Sequence, residues 1–276
     1  MDSVVLQLDD FDLPDFLPVA AEFGSDRYGF VVTPNVDHMI RYHEEPEFRE
    51  CYSAATFVLL DSRFARGLLR LIKGMTLRVC TGSDLTAAVL SRLVRSTDRV
   101  LVIGTEAAQA QALKLKFQLQ DLHHYNPPMG FIKNPAEVER CLEYIESHSP
   151  FRFCFLAVGC PQQEMVAYEL QKRGRARGLA LCVGASLNFI TGSERRAPRW
   201  MQEASIEWLF RLLQNPRRLA HRYLVRGPRV FAQMLRFKFV LRDRSSKAAP
   251  DTASVALETP AILPLHDLES PRAPVG

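Results

Sequence analysis

The chain lacks any stretch approaching the roughly 20 uninterrupted apolar residues that a spanning helix requires, so no membrane-crossing segment is expected. Its first residues, MDSVVLQLDDFDLPDF, are acidic and lack a basic start followed by an apolar run. No secretory signal is therefore expected, and the protein is expected in the cytoplasm. None of the six cysteines, at positions 51, 80, 141, 154, 160 and 182, forms a C-x-x-C pair. Cys80, Cys154 and Cys182 lie inside apolar runs and read as buried thiols. The seven histidines include His123 and His124, but none has a carboxylate or thiol at metal-ligand spacing, so no structural metal is expected. The G-x-G-x-x-G fingerprint is missing as well, which counts against a dinucleotide oxidoreductase.

What is present is an ordinary globular composition with an uneven charge distribution. Hydrophobic residues make up 47% and charged residues 24% of 276 residues, enough to bury one substantial core. Residues 195–244 hold thirteen Arg or Lys against three Asp or Glu, about +10, so the remainder carries about −6 of the overall +4. A basic block this dense suits phosphate or an anionic membrane surface, with nucleic acid as the competing partner. Trp200, Trp208, Tyr223, Phe231, Phe237 and Phe239 interleave with its arginines and give it an interfacial look. A solvated basic helix face is the alternative.

The pattern along the chain predicts an α/β fold. Residues 1–27 read as a flexible acidic arm. Apolar runs at 29–33, 55–61, 77–82, 99–104, 151–159 and 179–184 read as strands, alternating with helical segments such as 36–55, 83–96, 136–148 and 162–174. That alternation implies a Rossmann-like, largely parallel, doubly wound sheet over 28–194. A basic amphipathic appendage over 195–244 and a disordered tail over 245–276, rich in Ala, Pro, Ser and Thr, complete the expected organisation.

In such sheets ligands bind beyond the carboxyl ends of the strands. Asp61 ends an apolar run there and could act as a general base, or merely cap a turn. Gln163, in the 159–164 turn, could hydrogen-bond a sugar or base edge, or belong to an ordinary strand-to-helix turn. Thr33 and Asn35 offer short hydrogen-bonding groups, which turn chemistry explains equally well. Arg78, in an otherwise apolar run, needs an anion: a diphosphate, or a neighbouring acid. Gly104, Gly159, Gly184 and the nearby Asn188 are candidates for backbone approach to a nucleotide. Asp10-Phe11-Asp12 matches the D-x-D metal motif in letters but lies in the acidic arm, so cationic side chains are expected to neutralise any leaving diphosphate.

Six segments taken together, TPNVDH (33–38), LLDS (59–62), RVCTGSDL (78–85), VGCPQQE (158–164), VGASLNFITGSERRAPRWMQ (183–202) and EWLFRLLQNPRRLAHRY (207–223), resemble the WecG/TagA/CpsF glycosyltransferases. The resemblance runs from about Tyr28 to about Val240. It implies an inverting, metal-independent transferase without cofactor. The implied donor is a UDP-sugar, and the implied acceptor is linked to undecaprenyl diphosphate at the inner face of the membrane. Asp61 then matches the base, and Thr33, Asn35, Arg78 and Gln163 match active-site positions. Arg211, Arg218 and Arg222 fall in the appendage thought to hold the diphosphate. Family members can self-associate through the core. Two departures touch the site: Asp61-Ser62 replaces a usual Asp-Gly, and Leu187-Asn188-Phe189 replaces a Phe-Asp pair. The donor sugar is thus left among N-acetylmannosamine, its uronic acid and glucose. A nucleic-acid-binding protein and a non-catalytic UDP-sugar-binding assembly factor are the rival readings.

Overall fold

The computed structural model describes residues 4–204, 206–214, 216 and 235–242. Six strands form one all-parallel sheet: β2 (Tyr28–Val32), β3 (Phe57–Val58), β4 (Val100–Ile103), β5 (Leu122–Tyr125), β6 (Phe153–Leu156) and β7 (Gly178–Cys182), in the order β3-β2-β7-β6-β4-β5. Alternate side chains along each strand enter two separate cores, as a sheet covered on both faces requires. Phe30 and Val32 face one core, with Cys154, Leu156 and Ala180. Val31 faces the other, with Phe153, Phe155, Leu179 and Leu181. The Rossmann-like, doubly wound architecture is therefore as the alternation of segments predicts.

Helices α2 (Val36–Glu44), α3 (Pro46–Ala54), α4 (Arg63–Lys73), α7 (Pro135–Ser147) and α8 (Gln162–Arg173) supply the first core. The second is closed by α1 (Leu13–Glu22), α5 (Gly82–Ala88) with a π turn at Val89–Leu93, α6 (Ala107–Lys116) and α9 (Ser186–Thr191). The single helix expected over 36–55 is two. Pro46 pushes the preceding Glu45 to φ −112° and ψ 106°, out of the helical region. Two short helices, α10 (Arg199–Glu203) and α11 (Glu207–Gln214), lie in the basic block. Among the described residues no helix is long and apolar enough to cross a membrane.

Several expectations need correction. Residues 4–23 are not a loose arm. Val4–Leu8 forms β1, and Asp12 caps α1 by accepting from the Asp15 N–H. Leu6, Leu8, Phe16 and Ala20 are fully buried, because acidic residues sit between apolar ones that face the cores. The last described segment returns to the same place: β8 (Phe237–Leu241) pairs in parallel with β1, Val4 opposite Phe237 through Leu8 opposite Leu241. Phe237 and Phe239 are buried and do not form an interfacial face. Phe237 packs on Tyr42 and His43, with ring centroids 6.1 and 5.7 Å away. The run at 77–82 is not a strand. The Arg78 N–H donates to Asp10 Oδ1 and the Cys80 N–H to the Leu60 carbonyl, and α5 begins at Gly82. The expected tail over 245–276 lies outside the described residues.

Candidate functional site

All six strands run in the same direction, so the loops at their carboxyl ends share one edge of the sheet, the mouth of the candidate site. β4 passes to β5 on one side while β6 passes to β7 on the other. The loops after β4 and β6 therefore diverge, which is where open α/β sheets bind ligands. Gly104 and Gly159 sit at that divergence with φ of 84° each. A side chain at Gly104 would also strike Val158, whose backbone nitrogen would lie 2.9 Å from the added carbon. The next residue, Thr105, holds φ 148°, a strained value for a non-glycine residue, and its buried Oγ1 has no hydrogen-bond partner.

At the other end of the mouth, Asp61 lies three residues past β3. Its Oδ1 accepts the Gly82 N–H at 2.6 Å. Thr33, buried just past β2, faces the same spot: a methyl group placed on Gly82 would lie 3.0 Å from Thr33 Oγ1 and 3.8 Å from Asp61 Oδ1. Thr81 caps α5, and Ser83 Oγ stands 3.4 Å from Ser186 Oγ at the start of α9. Beyond Ser186 lies Gly184, whose N–H donates to Gln163 Oε1 at 2.9 Å. Asp61 and Gln163 are thus joined along one wall by Gly82, the Ser83–Ser186 pair and Gly184.

Gln163 is buried, and its Nε2 donates to Glu164 Oε1 at 2.8 Å. Sequence reasoning reads Glu164 only as part of a turn. The structure buries it completely on α8, among His38 and Arg41 of α2 and Cys51 and Tyr52 of α3. Burial pushes its carboxyl up to about 7, and the Gln163 and Cys160 side chains and the Arg41 charge only partly offset that rise. His38, Cys160 and Glu164 bring ligand-type atoms within 4.8 Å of one another, and among the described residues this is the group that could hold a metal. His38 Nδ1 is 2.9 Å from the Tyr52 hydroxyl. The nearby Arg41 guanidinium and the proton that Glu164 keeps near neutrality both compete with a cation there.

The remaining candidates are dispersed. Asn35 caps α2, its Oδ1 accepting from the Asp37 and His38 N–H groups at 3.0 and 3.3 Å. Arg78 is half exposed and pairs with Asp10 and Asp15, so the neighbouring acids that the sequence allows as its partners are the ones found. The expected buried guanidinium in a strand is not there. Asn188 Oδ1 accepts from Gln109 Nε2 at 3.0 Å, joining α9 to α6. Arg196 Nη1 bonds Asp84 Oδ1 at 2.7 Å and fastens the 195–198 segment to α5. Burial raises the Asp84 carboxyl, but the Arg196 hydrogen bond and charge, with Thr81, outweigh it and leave it below the usual carboxylate range. The Arg211 backbone lies in α11, while Arg218 and Arg222 fall outside the described residues. The family described as Glycosyl transferase WecG/TagA/CpsF matches residues 2–244, including β1 and β8 as well as the mouth.

Proposed function

The chain belongs to the WecG/TagA/CpsF glycosyltransferase family, and from that premise we propose that it moves a hexose-type sugar from a UDP-sugar to an undecaprenyl-diphosphate-linked acceptor, with inversion, in bacterial surface or exopolysaccharide synthesis. One observation carries the reading: Asp61 stands just past β3 at the carboxyl edge of the sheet, its Oδ1 accepting the Gly82 N–H and its carboxylate placed beside Thr33. In this reading the acceptor hydroxyl oxygen attacks the anomeric carbon from the face opposite UDP. The bond from that carbon to the diphosphate oxygen breaks, UDP leaves with its electron pair, and Asp61 takes the hydroxyl proton. The diverging loops after β4 and β6 suit the nucleotide, with Gly104, Thr105 and Gly159 allowing close backbone approach. Thr33 and Gln163 orient the sugar, with Gly184 bonded to Gln163 on the same wall and Asn188 further along α9 meeting the nucleotide.

No metal or cofactor enters this reading. Charge on the leaving diphosphate is met by arginines of the basic block, Arg211, Arg218 and Arg222 among them, and the same block rests on the inner face of the membrane. Arg78 is not given that task, because Asp10 and Asp15 already engage it. The test is sugar transfer from radiolabelled UDP-glucose and UDP-N-acetylmannosamine to an undecaprenyl-diphosphate acceptor. Asp61→Asn should lower kcat by about 10²-fold or more while donor binding persists. Near-normal kcat in that variant refutes the base assignment.

A further inference from the structure

Gln163 and Glu164 are adjacent, both buried, and bonded side chain to side chain. The Gln163 amide is fully specified at two points: Nε2 donates to Glu164 Oε1 and Oε1 accepts from the Gly184 N–H. The other Glu164 oxygen, Oε2, is buried without a hydrogen-bond partner of good geometry among the described residues, while the Cys160 side chain also bears on the carboxylate. We propose that Glu164 is a positioning residue: its charged carboxylate holds the Gln163 amide in the single orientation that serves the donor sugar, and discharging it frees that amide. The inference rests on reading Gln163 as a donor-site residue.

The physical argument is one of donors and acceptors. An ionised carboxylate only accepts, so it selects the NH2 side of the neighbouring amide. The amide oxygen must then point to Gly184, whose N–H it satisfies. A protonated Glu164 can donate as well as accept. It can therefore bond the amide oxygen, allowing the flipped arrangement in which NH2 faces the Gly184 N–H and that bond is lost. Complete burial brings this switch near neutral pH, at about 7. The charged or titratable groups facing Glu164 are His38 and Arg41 of α2, Cys51 and Tyr52 of α3, Cys160 of the preceding turn and Cys182 of β7. Tyr52 itself also lies within reach of the Asp61 charge. His38 is the group able to mimic the effect, because imidazoles ordinarily titrate in the same range.

The experiment follows the Gln163 side-chain amide in the 15N-labelled full chain between pH 5.5 and 8.5, assigned in each background by its loss in Gln163→Glu. Its resonances should move with a midpoint near 7 in the unsubstituted protein, keep that step in His38→Asn, and become pH-invariant in Glu164→Gln. If Glu164→Gln does not fold, the unsubstituted protein and His38→Asn still decide. In parallel, calorimetry with UDP-glucose and UDP-N-acetylmannosamine should show donor Kd rising roughly three- to tenfold from pH 8 to pH 6, the loss of about one hydrogen bond. In Glu164→Gln the Kd should stay flat and weak. Neither phosphate of a UDP-sugar titrates in this range, so the step belongs to the protein. A pH-invariant Gln163 resonance, a step that disappears in His38→Asn, or a flat donor Kd in the unsubstituted protein overturns the inference. So does a thiolate-to-cobalt absorption band on titration with Co2+ that is lost in both Cys160→Ser and Glu164→Gln, because Glu164 would then be a metal ligand. A titrating resonance with no binding of either UDP-sugar sinks the functional reading alone.

Discussion

Glu164 holds a carboxyl group in full burial, and the distance between its pKa of about 7 and the ordinary 4.5 ties protein stability to pH. The sign follows from which state holds the proton more tightly. Here the folded protein does, so the stabilising contribution is complete below about pH 4.5 and is lost as pH rises through 7. At 1.36 kcal/mol per pKa unit the loss is on the order of 3 kcal/mol. Glu164→Gln keeps the shape and removes the charge. In urea unfolding at pH 5 and pH 8, the variant should show a drop smaller than that of the unsubstituted protein by up to about 3 kcal/mol. Equal drops in both proteins would mean that Glu164 ionises without penalty. Asp61 and Gln163 are legible in the sequence because strand-end loops announce them, whereas Glu164 is not, although it follows Gln163 directly. Its identity as a buried acid depends on α2 and α3 closing over α8, which no local pattern encodes.

The elements show the same division. Continuous apolar runs made β2, β4, β6 and β7 readable, because strands buried on both faces carry no polar interruption. β5 is not legible locally because it is an edge strand reading Leu-His-His-Tyr, with only β4 beside it. β1 and β8 are not legible because each makes sense only with the other, some 230 residues away. The surroundings of Arg78 are hidden for a related reason: its partners, Asp10 and Asp15, lie 68 and 63 residues earlier in the chain. The β1–β8 pair is clamped by Arg242. Its guanidinium donates to the Ala55 and Tyr52 carbonyls at 2.8 and 3.2 Å and lies 3.6 Å from Asp9, a fully buried carboxylate that also accepts the Val58 N–H. Arg242→Met removes a cation beside that buried charge along with its own carbonyl bonds, and should cost about 3 kcal/mol in urea unfolding. Adding Asp9→Asn should recover a large part of the loss. Purely additive losses would show that the two side chains do not act as a pair.

On the scale of the whole molecule the dominant feature is the separation of charge, about +10 within residues 195–244 against about −6 elsewhere. The aromatic residues of that block divide into two groups. Among the described ones, Phe237 and Phe239 are core residues that anchor the end of the block to β1, while Trp200 on α10 is 62% exposed, and the aliphatic Leu213 on α11 is 71% exposed as well. In the proposed reading, a basic segment with exposed Trp200 and Leu213, whose described ends are fastened to the core through Arg196 and β8, meets an anionic lipid surface. Each Lys or Arg near such a surface contributes about 1 kcal/mol. Replacing Arg211, Arg218 and Arg222 together by Gln should therefore weaken partition onto phosphatidylglycerol-containing vesicles by on the order of 10²-fold at low salt. The difference should shrink as ionic strength rises and screening shortens the reach of the charges. Co-sedimentation over a salt series measures both, and the acceptor KM in the transfer assay should rise in parallel. Vesicle binding that ignores these three arginines, or that persists unchanged at high salt, would assign membrane contact to the exposed apolar residues and leave the arginines without a lipid role.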